Sequence, residues 1–475
     1  MESLWHRDAA ASPGRPLAGN LHTDAAVIGG GMAGVLIARA LTRAGLRTAV
    51  LEARALGSGQ TGNTTAKITA QQGMIYHRLI RQLGESSARL YAQASQAAVE
   101  EYRRLARTGL DCDFTDCPAY LYSQFQELPL VREAAACRTL GLEASFTCTT
   151  TLPFAVKGAV RMEGQAMFHP LKFLYAAAKG LEVYERTPVL TVRGDQLVTP
   201  RGLVTARHII FASHYPFVNF PGLYFARMHQ ERSYVAAVSG APQLDGIYYG
   251  VDPDGLSFRN AGPYLLVGGG GHPTGKGADR KPYDMLESRA RSFWPGSVPA
   301  ARWSAQDCTT LDGLPYIGVF SPSRPNWYVA TGFQKWGMTA SMVAARLISH
   351  LITGEKDPLA PVLSPRRFSW QAARNLAGEG GRAAKNLAKN YFGRPALSLD
   401  QLPPGQGAVV SWQGKKVGAY REPDGQVHLV DPRCPHLGCQ LVWNPEERTW
   451  DCPCHGSRFD CQGRLLDGPA RKDLT

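Results

Sequence analysis

Short apolar runs closed by glycine-rich turns, alternating with stretches of helical period, predict an α/β architecture over most of this 475-residue chain. Asp24-Ala-Ala-Val-Ile28 reads as a buried strand running into Gly29, with a helix starting near Met32. Arg47-Thr-Ala-Val-Leu51 predicts a second strand and His208-Ile-Ile-Phe-Ala212 a third. Asn326-Trp-Tyr-Val-Ala-Thr331 predicts a fourth, leading into a long helix from Gly337 to about Thr353. Residues 84–108 place Leu90, Ala94, Ala97, Val99 and Tyr102 at helical spacing. Glu231–Val238 patterns as a strand, and Gly255–Arg259 and Tyr264–Val267 flank Asn260-Ala261-Gly262 as a hairpin. Gly268–Gly271, followed by His272, reads as a turn because no helix pattern follows it. No internal repeat is seen.

Length and charge refine this picture. A chain this long exceeds a single hydrophobic core and predicts two or three domains. Its net charge of +13 is unevenly placed. Residues 366–397 hold Arg366, Arg367, Arg374, Arg382, Lys385, Lys389 and Arg394 against a single acid, Glu379, and carry Gly378, Gly380 and Gly381. The segment therefore reads as a basic, solvated linker, with an acidic partner or an anionic membrane surface as its alternative contact. Aromatic residues are too sparse in it to stack bases, so nucleic acid is not an expected partner. No run of about eighteen apolar residues predicts a transmembrane segment. The first twenty residues lack the apolar core of a signal peptide, and a cytoplasmic location is expected.

Two motifs carry candidate chemistry. Gly29-x-Gly31-x-x-Gly34 lies between the first strand and its helix. The first glycine permits the tight turn, the second lets backbone approach a pyrophosphate, and the third lets helix pack on strand. Glu52 ends the second strand, where an acid about 20 residues on holds a ribose hydroxyl. At the other end, Cys434-Pro-His436 and Cys452-Pro-Cys454-His455 each offer one thiolate and one imidazole from a short loop. That is the donor set of a Rieske [2Fe–2S] centre, with two thiolates on one iron and two imidazoles on the other. Zinc is the competing reading, but Cys-x-His and the additional Cys439 and Cys454 depart from zinc-site spacing. A mononuclear-iron oxygenase would need a 2-His-1-carboxylate triad, and no convincing one is present.

Further segments carry a family resemblance: Thr64-Thr65-Ala66-Lys67-Ile68-Thr69, Phe168-His169-Pro170, Gln306-Asp307 ahead of Leu311-Asp312-Gly313, and Thr331-Gly332-Phe-Gln-Lys335-Trp336-Gly337-Met338-Thr339. With the terminal Cys/His set, the chain resembles FAD-dependent oxidoreductases of the D-amino acid oxidase/glycine oxidase superfamily that carry a C-terminal Rieske domain. The resemblance covers nearly the whole chain. It implies an α/β (α+β) class: an FAD-binding Rossmann-like domain with an inserted antiparallel-sheet substrate domain, then a small all-β Rieske domain. The expected boundaries are 1–365 for the oxidoreductase, 366–397 for the linker and 398–475 for the Rieske domain. The nucleotide-binding parts are expected at about 22–75, 180–215 and 300–355.

The resemblance also implies site residues. FAD contacts fall on Gly29, Gly31, Gly34, Glu52, Thr65, Ala66, Lys67, Val189, Gly332, Gly337, Met338 and Thr339. Cluster ligands fall on Cys434, His436, Cys452 and His455, with a Cys439–Cys454 disulfide tying the two loops. Cys112, Cys117, Cys137, Cys148 and Cys308 are expected as reduced thiols, and Cys461 has no assigned role. The implied reaction is hydride transfer from an amine- or amino-acid-like substrate to FAD, relayed through the [2Fe–2S] cluster to a redox protein or quinone-type acceptor. The alternative is an electron-transfer module that exchanges electrons with a ferredoxin-like partner. Lys67 and Lys335 are candidates for positive charge beside the flavin, and His169 for a base. The carboxylate-binding lysine of sarcosine-oxidase-like relatives falls on Thr339 here, which argues against a simple amino-acid substrate. The cysteine that attaches flavin covalently in those relatives is not matched by Cys308, so non-covalent FAD is expected.

Overall fold

The computed structural model describes residues 2–9, 14–277, 280–367 and 397–474. Apart from Arg366, Arg367 and Leu397, the predicted linker lies outside the described residues. The first sheet has the strand order Tyr316–Ser321, Arg324–Thr331, Gly202–Phe211, Leu21–Ile28, Thr48–Leu51, Glu182–Tyr184. Its central strands run parallel, and Ala25–Ile28, Thr48–Leu51 and Ile209–Phe211 are buried, largely apolar runs, as suits a sheet covered on both faces. The helix Met32–Arg43 follows the glycine motif and packs on the helix Gly337–Thr353. Close packing explains two of the glycines. A Cβ on Gly34 would sit 1.9 Å from the Gly29 carbonyl oxygen, and one on Gly29, at φ +112°, would lie 2.6 Å from that of Ala212.

The inserted sheet runs Val298–Thr310, Met228–Ser239, Tyr264–Pro273, Ser257–Ala261, Ile247–Gly250, Thr115–Ser123, Gly158–Met167, Lys67–Ile68. It is antiparallel except where Ile247–Gly250 runs parallel to Thr115–Ser123. Three sequence expectations change. Gly268–His272 is not a turn but the continuation of a strand through Pro273, bulged against Arg232–Tyr234, with Gly270 at φ +63°. The hairpin turn is Gly262–Pro263, because Asn260 and Ala261 still pair with Leu265 and Tyr264. The 84–108 helix starts after Gly84, at φ +78°, and buries Ala98 and Val99 while Ala97 faces solvent.

The C-terminal domain has two antiparallel sheets, one of three strands over Gly407–Val430 and one of four over Val442–Asp467. It docks on one face of the strands Met228–Ser239 and Val298–Thr310. Two-residue periodicity puts Gln230, Arg232, Ser304 and Gln306 on that face, and Arg232 pairs across the ladder with Gln306. Arg232, 1% exposed at its side chain, is bidentate to Glu447 of the C-terminal domain at 2.5 and 3.1 Å. Glu447 also meets Arg458 at 3.1 Å, and Arg458 in turn holds Asp451 and Asp467.

Burial alone would push the Glu447 carboxyl up, but Arg232 and Arg458 outweigh it and hold the group at about 2. A carboxylate depressed from about 4.5 stabilises the fold by roughly 3 kcal/mol above its unfolded value, and that stability disappears as pH falls from 4.5 towards 2. Glu447→Gln, which leaves Arg232 buried without its carboxylate, is expected to cost about 3–5 kcal/mol in denaturant unfolding at neutral pH. It should also flatten the pH dependence of stability between 4.5 and 2.

Candidate functional site

Two matching loops bring the four predicted cluster ligands together. Each closes on itself through backbone: Gly438 N–H donates to Cys434 O at 2.9 Å, and Gly456 N–H to Cys452 O at 3.0 Å. Both glycines have positive φ, +80° and +81°. The His436 and His455 rings stand edge-on with centroids 4.9 Å apart. The Nδ1 atoms of both are buried without a hydrogen-bond partner among the described residues. A buried, unpaired imidazole nitrogen is costly unless something else ligates it, and here two such nitrogens share one pocket. The two ligand thiols are hydrogen-bonded to each other, which draws the Cys434 thiol down and pushes that of Cys452 up, as two sulfurs held in contact with one proton between them would be. The donor set therefore fits a two-iron cluster. Cys439 and Cys454 form the expected disulfide, Cα–Cα 6.5 Å. Their sulfurs lie within 4.8 Å of Cys452 Sγ but are spent in that bond.

The imidazole face of these loops meets the oxidoreductase domain. His436 Nε2 lies 2.8 Å from Asn219 Oδ1, so with Nδ1 turned to the cluster pocket the Nε2–H donates to Asn219. The Phe225 ring lies edge-on to both histidines. Gln230 Nε2 donates to His455 O at 2.6 Å, and Gln306 Nε2 donates to Gly456 O at 2.7 Å and to Gln230 Oε1 at 2.6 Å. Glycine is required at 456 by this approach, since a Cβ there would come within 2.7 Å of the Gln230 side chain. Phe220, 70% exposed, and Leu437 leave an apolar rim beside His436.

Behind Gln306 opens a cavity of about 420 Å³. Its walls include the predicted Gly29, Gly31, Glu52, Val189, Gly332, Gly337, Met338 and Lys335. Glu52 accepts from Gly30 N at 2.6 Å and Arg54 N at 2.8 Å, which sets its carboxylate at the end of the second strand. Gly34 works behind the wall as a packing glycine. Thr339 does likewise: its hydroxyl donates to Thr69 O and accepts from Thr69 N, and the side chain is buried.

The predicted segment at Thr65 and Ala66 is held from a direction the sequence did not disclose. Arg259, buried, donates to Thr65 O, Ala66 O and Phe168 O at 2.8–3.1 Å, while Ala66 adopts φ +52°. Trp5 of the N-terminal segment donates to Thr64 O at 2.6 Å. Buried arginine in an inward strand position was the available signal for Arg259; Trp5 offered none.

Lys67 and Lys335 occupy different surroundings: Lys335 lines the cavity, whereas Lys67, like the predicted Thr65 and Ala66, does not. Lys335 Nζ is 2.7 Å from Asp307 Oδ2 on the cavity wall, an attraction that outweighs burial and raises its pKa. Among the described residues Lys67 Nζ hydrogen-bonds to hydroxyls, Thr65 at 2.9 Å and Ser257 at 3.3 Å, and burial, with Arg259 and Lys335, outweighs the attraction of Asp307 and lowers it to about 7. His169 caps the helix Pro170–Ala178, its Nδ1 accepting from Lys172 N, and burial lowers it to about 4. Cys308 is buried against Met228 and Thr331.

A glycine-lined cavity at the ends of parallel strands, capped by an inserted sheet and joined to a Cys/His loop pair, defines a flavin-type oxidoreductase with a docked iron–sulfur domain. The chain belongs to the FAD dependent oxidoreductase (DAO) family, whose model matches residues 24–351. The Rieske [2Fe-2S] domain model matches residues 394–475. FAD and one [2Fe–2S] cluster are thus its cofactors. It is 37% identical to YhfW of Bacillus subtilis (strain 168), described as a Rieske 2Fe-2S iron-sulfur protein, over 100% of this chain and 97% of that one. In fold it is similar to glycine oxidase from Geobacillus kaustophilus, with a TM-score of 0.60, 23% identity, and 73% of this chain and 99% of that one covered. It is similar also to L-proline dehydrogenase from P. horikoshii, with a TM-score of 0.62, 16% identity, and 74% and 98% covered.

Asn219→Leu removes the acceptor facing His436 Nε2. An accepted N–H bond makes imidazole a stronger donor and favours the oxidised cluster, so the variant is expected to raise the cluster's midpoint potential. A redox titration followed by paramagnetic resonance checks this, and an unchanged potential would count against the contact.

Proposed function

We propose that this protein is a dehydrogenase that oxidises an amine- or amino-acid-like substrate at FAD and passes the electrons through its Rieske cluster to an acceptor, a redox protein or a quinone-type molecule. The observation that carries the reading is the shared wall: Gln306 lines the cavity and also donates to the cluster loop at Gly456. Two redox groups placed either side of one glutamine suit electron passage within a single chain. In this reading Cys434, Cys452, His436 and His455 hold the cluster, and Gly29, Gly31, Glu52, Val189, Gly332, Gly337 and Met338 hold FAD, which accepts two electrons as a hydride and releases them singly.

The chain's own side chains then have separate tasks. Lys335, fixed by Asp307, supplies a standing positive charge at the cavity. Lys67 stands where the strand Lys67–Ile68 joins the inserted sheet, beside Ser257, and near neutral pH it can lose a proton and accept one from an ammonium substrate. Arg259 and Trp5 fix the backbone next to it. The amino acid oxidases and dehydrogenases of similar fold favour a CH–NH donor. A cytoplasmic location completes the reading; no helix among the described residues is long and apolar enough to cross a membrane.

The second reading is an electron-transfer module that exchanges electrons with a ferredoxin-like protein. The apolar rim at Phe220 and Leu437, next to His436, is the surface that favours it.

The test is anaerobic. Amines, imino acids and polyamines are mixed with the oxidised protein while flavin bleaching and then the cluster signal are followed. Bleaching followed by cluster reduction supports the dehydrogenase; reduction by a protein donor alone supports the module. For the active donor, the bleaching rate is expected to rise with pH through about 7. Lys67→Met should lose that inflection and fall about 100-fold or more at high pH, the scale of a general base.

A further inference from the structure

We propose that the FAD site of this chain is built by two domains: the segment Leu465–Arg471 of the iron–sulfur domain forms part of the dinucleotide-binding wall, so FAD binding and docking of that domain are one coupled equilibrium. This rests on the FAD assignment of the cavity and goes beyond it. The cavity that Gly29, Gly31 and Glu52 line is lined also by Leu465, Leu466, Asp467, Gly468 and Arg471. Three hydrogen bonds fasten this segment to the oxidoreductase domain. Gln60 Nε2 donates to Asp467 Oδ1 at 3.1 Å, Arg471 Nη1 to Leu190 O at 2.7 Å, and Gln230 Nε2 to Gly468 O at 3.2 Å. Gln60 and Leu190 themselves line the cavity, so the bonds close its rim rather than a remote contact.

The chemistry of the segment suits a wall for a nucleotide. Leu465 and Leu466 are apolar, Gly468 adds no side chain, and Asp467 already answers Arg458 at 3.0 Å, so its charge does not stand unbalanced against phosphate. If the domain lifted away, one side of the site would be exposed to water. A ligand that binds only the closed form stabilises that form, and docking raises ligand affinity by the same factor.

The experiment uses the full chain with its cluster intact and flavin removed, titrated with FAD by flavin fluorescence. The double variant Leu466→Ala/Arg471→Ala is expected to raise the FAD Kd by about fivefold or more, the scale of one apolar contact and one hydrogen bond. Its cluster signal should remain that of the wild type. In parallel, FAD should slow amide hydrogen exchange at residues 465–471 while leaving the outer strands Gly407–Trp412 and Lys415–Arg421 unchanged. A smaller change in Kd, or exchange at 465–471 that ignores FAD, overturns the proposal. Absence of flavin binding by the wild-type chain would overturn the FAD assignment itself, and the proposal with it.

Discussion

The contact on which the arrangement depends is the buried charge network Arg232–Glu447–Arg458–Asp467 between the two domains. Removing charges from water is costly, and a network of this kind is tolerated only where geometry is bidentate and every partner is present. Both conditions hold, with Ser304 and Asn444 supplying further hydrogen bonds to Glu447. Its weight is as a constraint more than as net stability. Separating the domains would leave Arg232 without its carboxylate and Glu447 with Arg458 alone, which weights the equilibrium towards the docked state. The same strand carries Gln230 to the cluster loop, and the same arginine partner, Arg458, holds Asp467 at the cavity. One network thereby fixes the cluster loops and the cavity wall together.

What the sequence disclosed, and what it withheld, divides along the range of the interactions. The glycine motif, Glu52 and the Cys/His loops were legible because turns, helix starts and ligand pairs impose short, fixed spacings. Four strands of the first sheet were legible as apolar runs of the right length, while their order, set by pairing between distant segments, was not. The domain interface was not legible in this way. Met228–Ser239 alternates Met, Gln, Arg and Tyr on its buried face, and the two polar members answer groups more than 200 residues away. A buried-face Gln and Arg on an otherwise apolar strand was the one local hint that something polar must cover it. Gly268–His272 misread as a turn for the opposite reason: glycine-rich composition suggests a break, while pairing with Glu231–Val238 keeps the segment extended.

Lys67 and Lys335 show why equal residues in equal motifs need not share a role. Both follow flavin-segment motifs, and from sequence alone both are simply cations. Lys335 meets the Asp307 carboxylate, which outweighs burial, raises its pKa and favours the charged amine. Lys67 meets hydroxyls among the described residues, with Arg259 close enough to disfavour a second positive charge. Burial without a counter-ion is what brings an amine into the range where it can exchange a proton at neutral pH. The contrast follows from where Asp307 lies: in direct contact with Lys335, it acts on Lys67 as the smallest of the four influences, so burial prevails there.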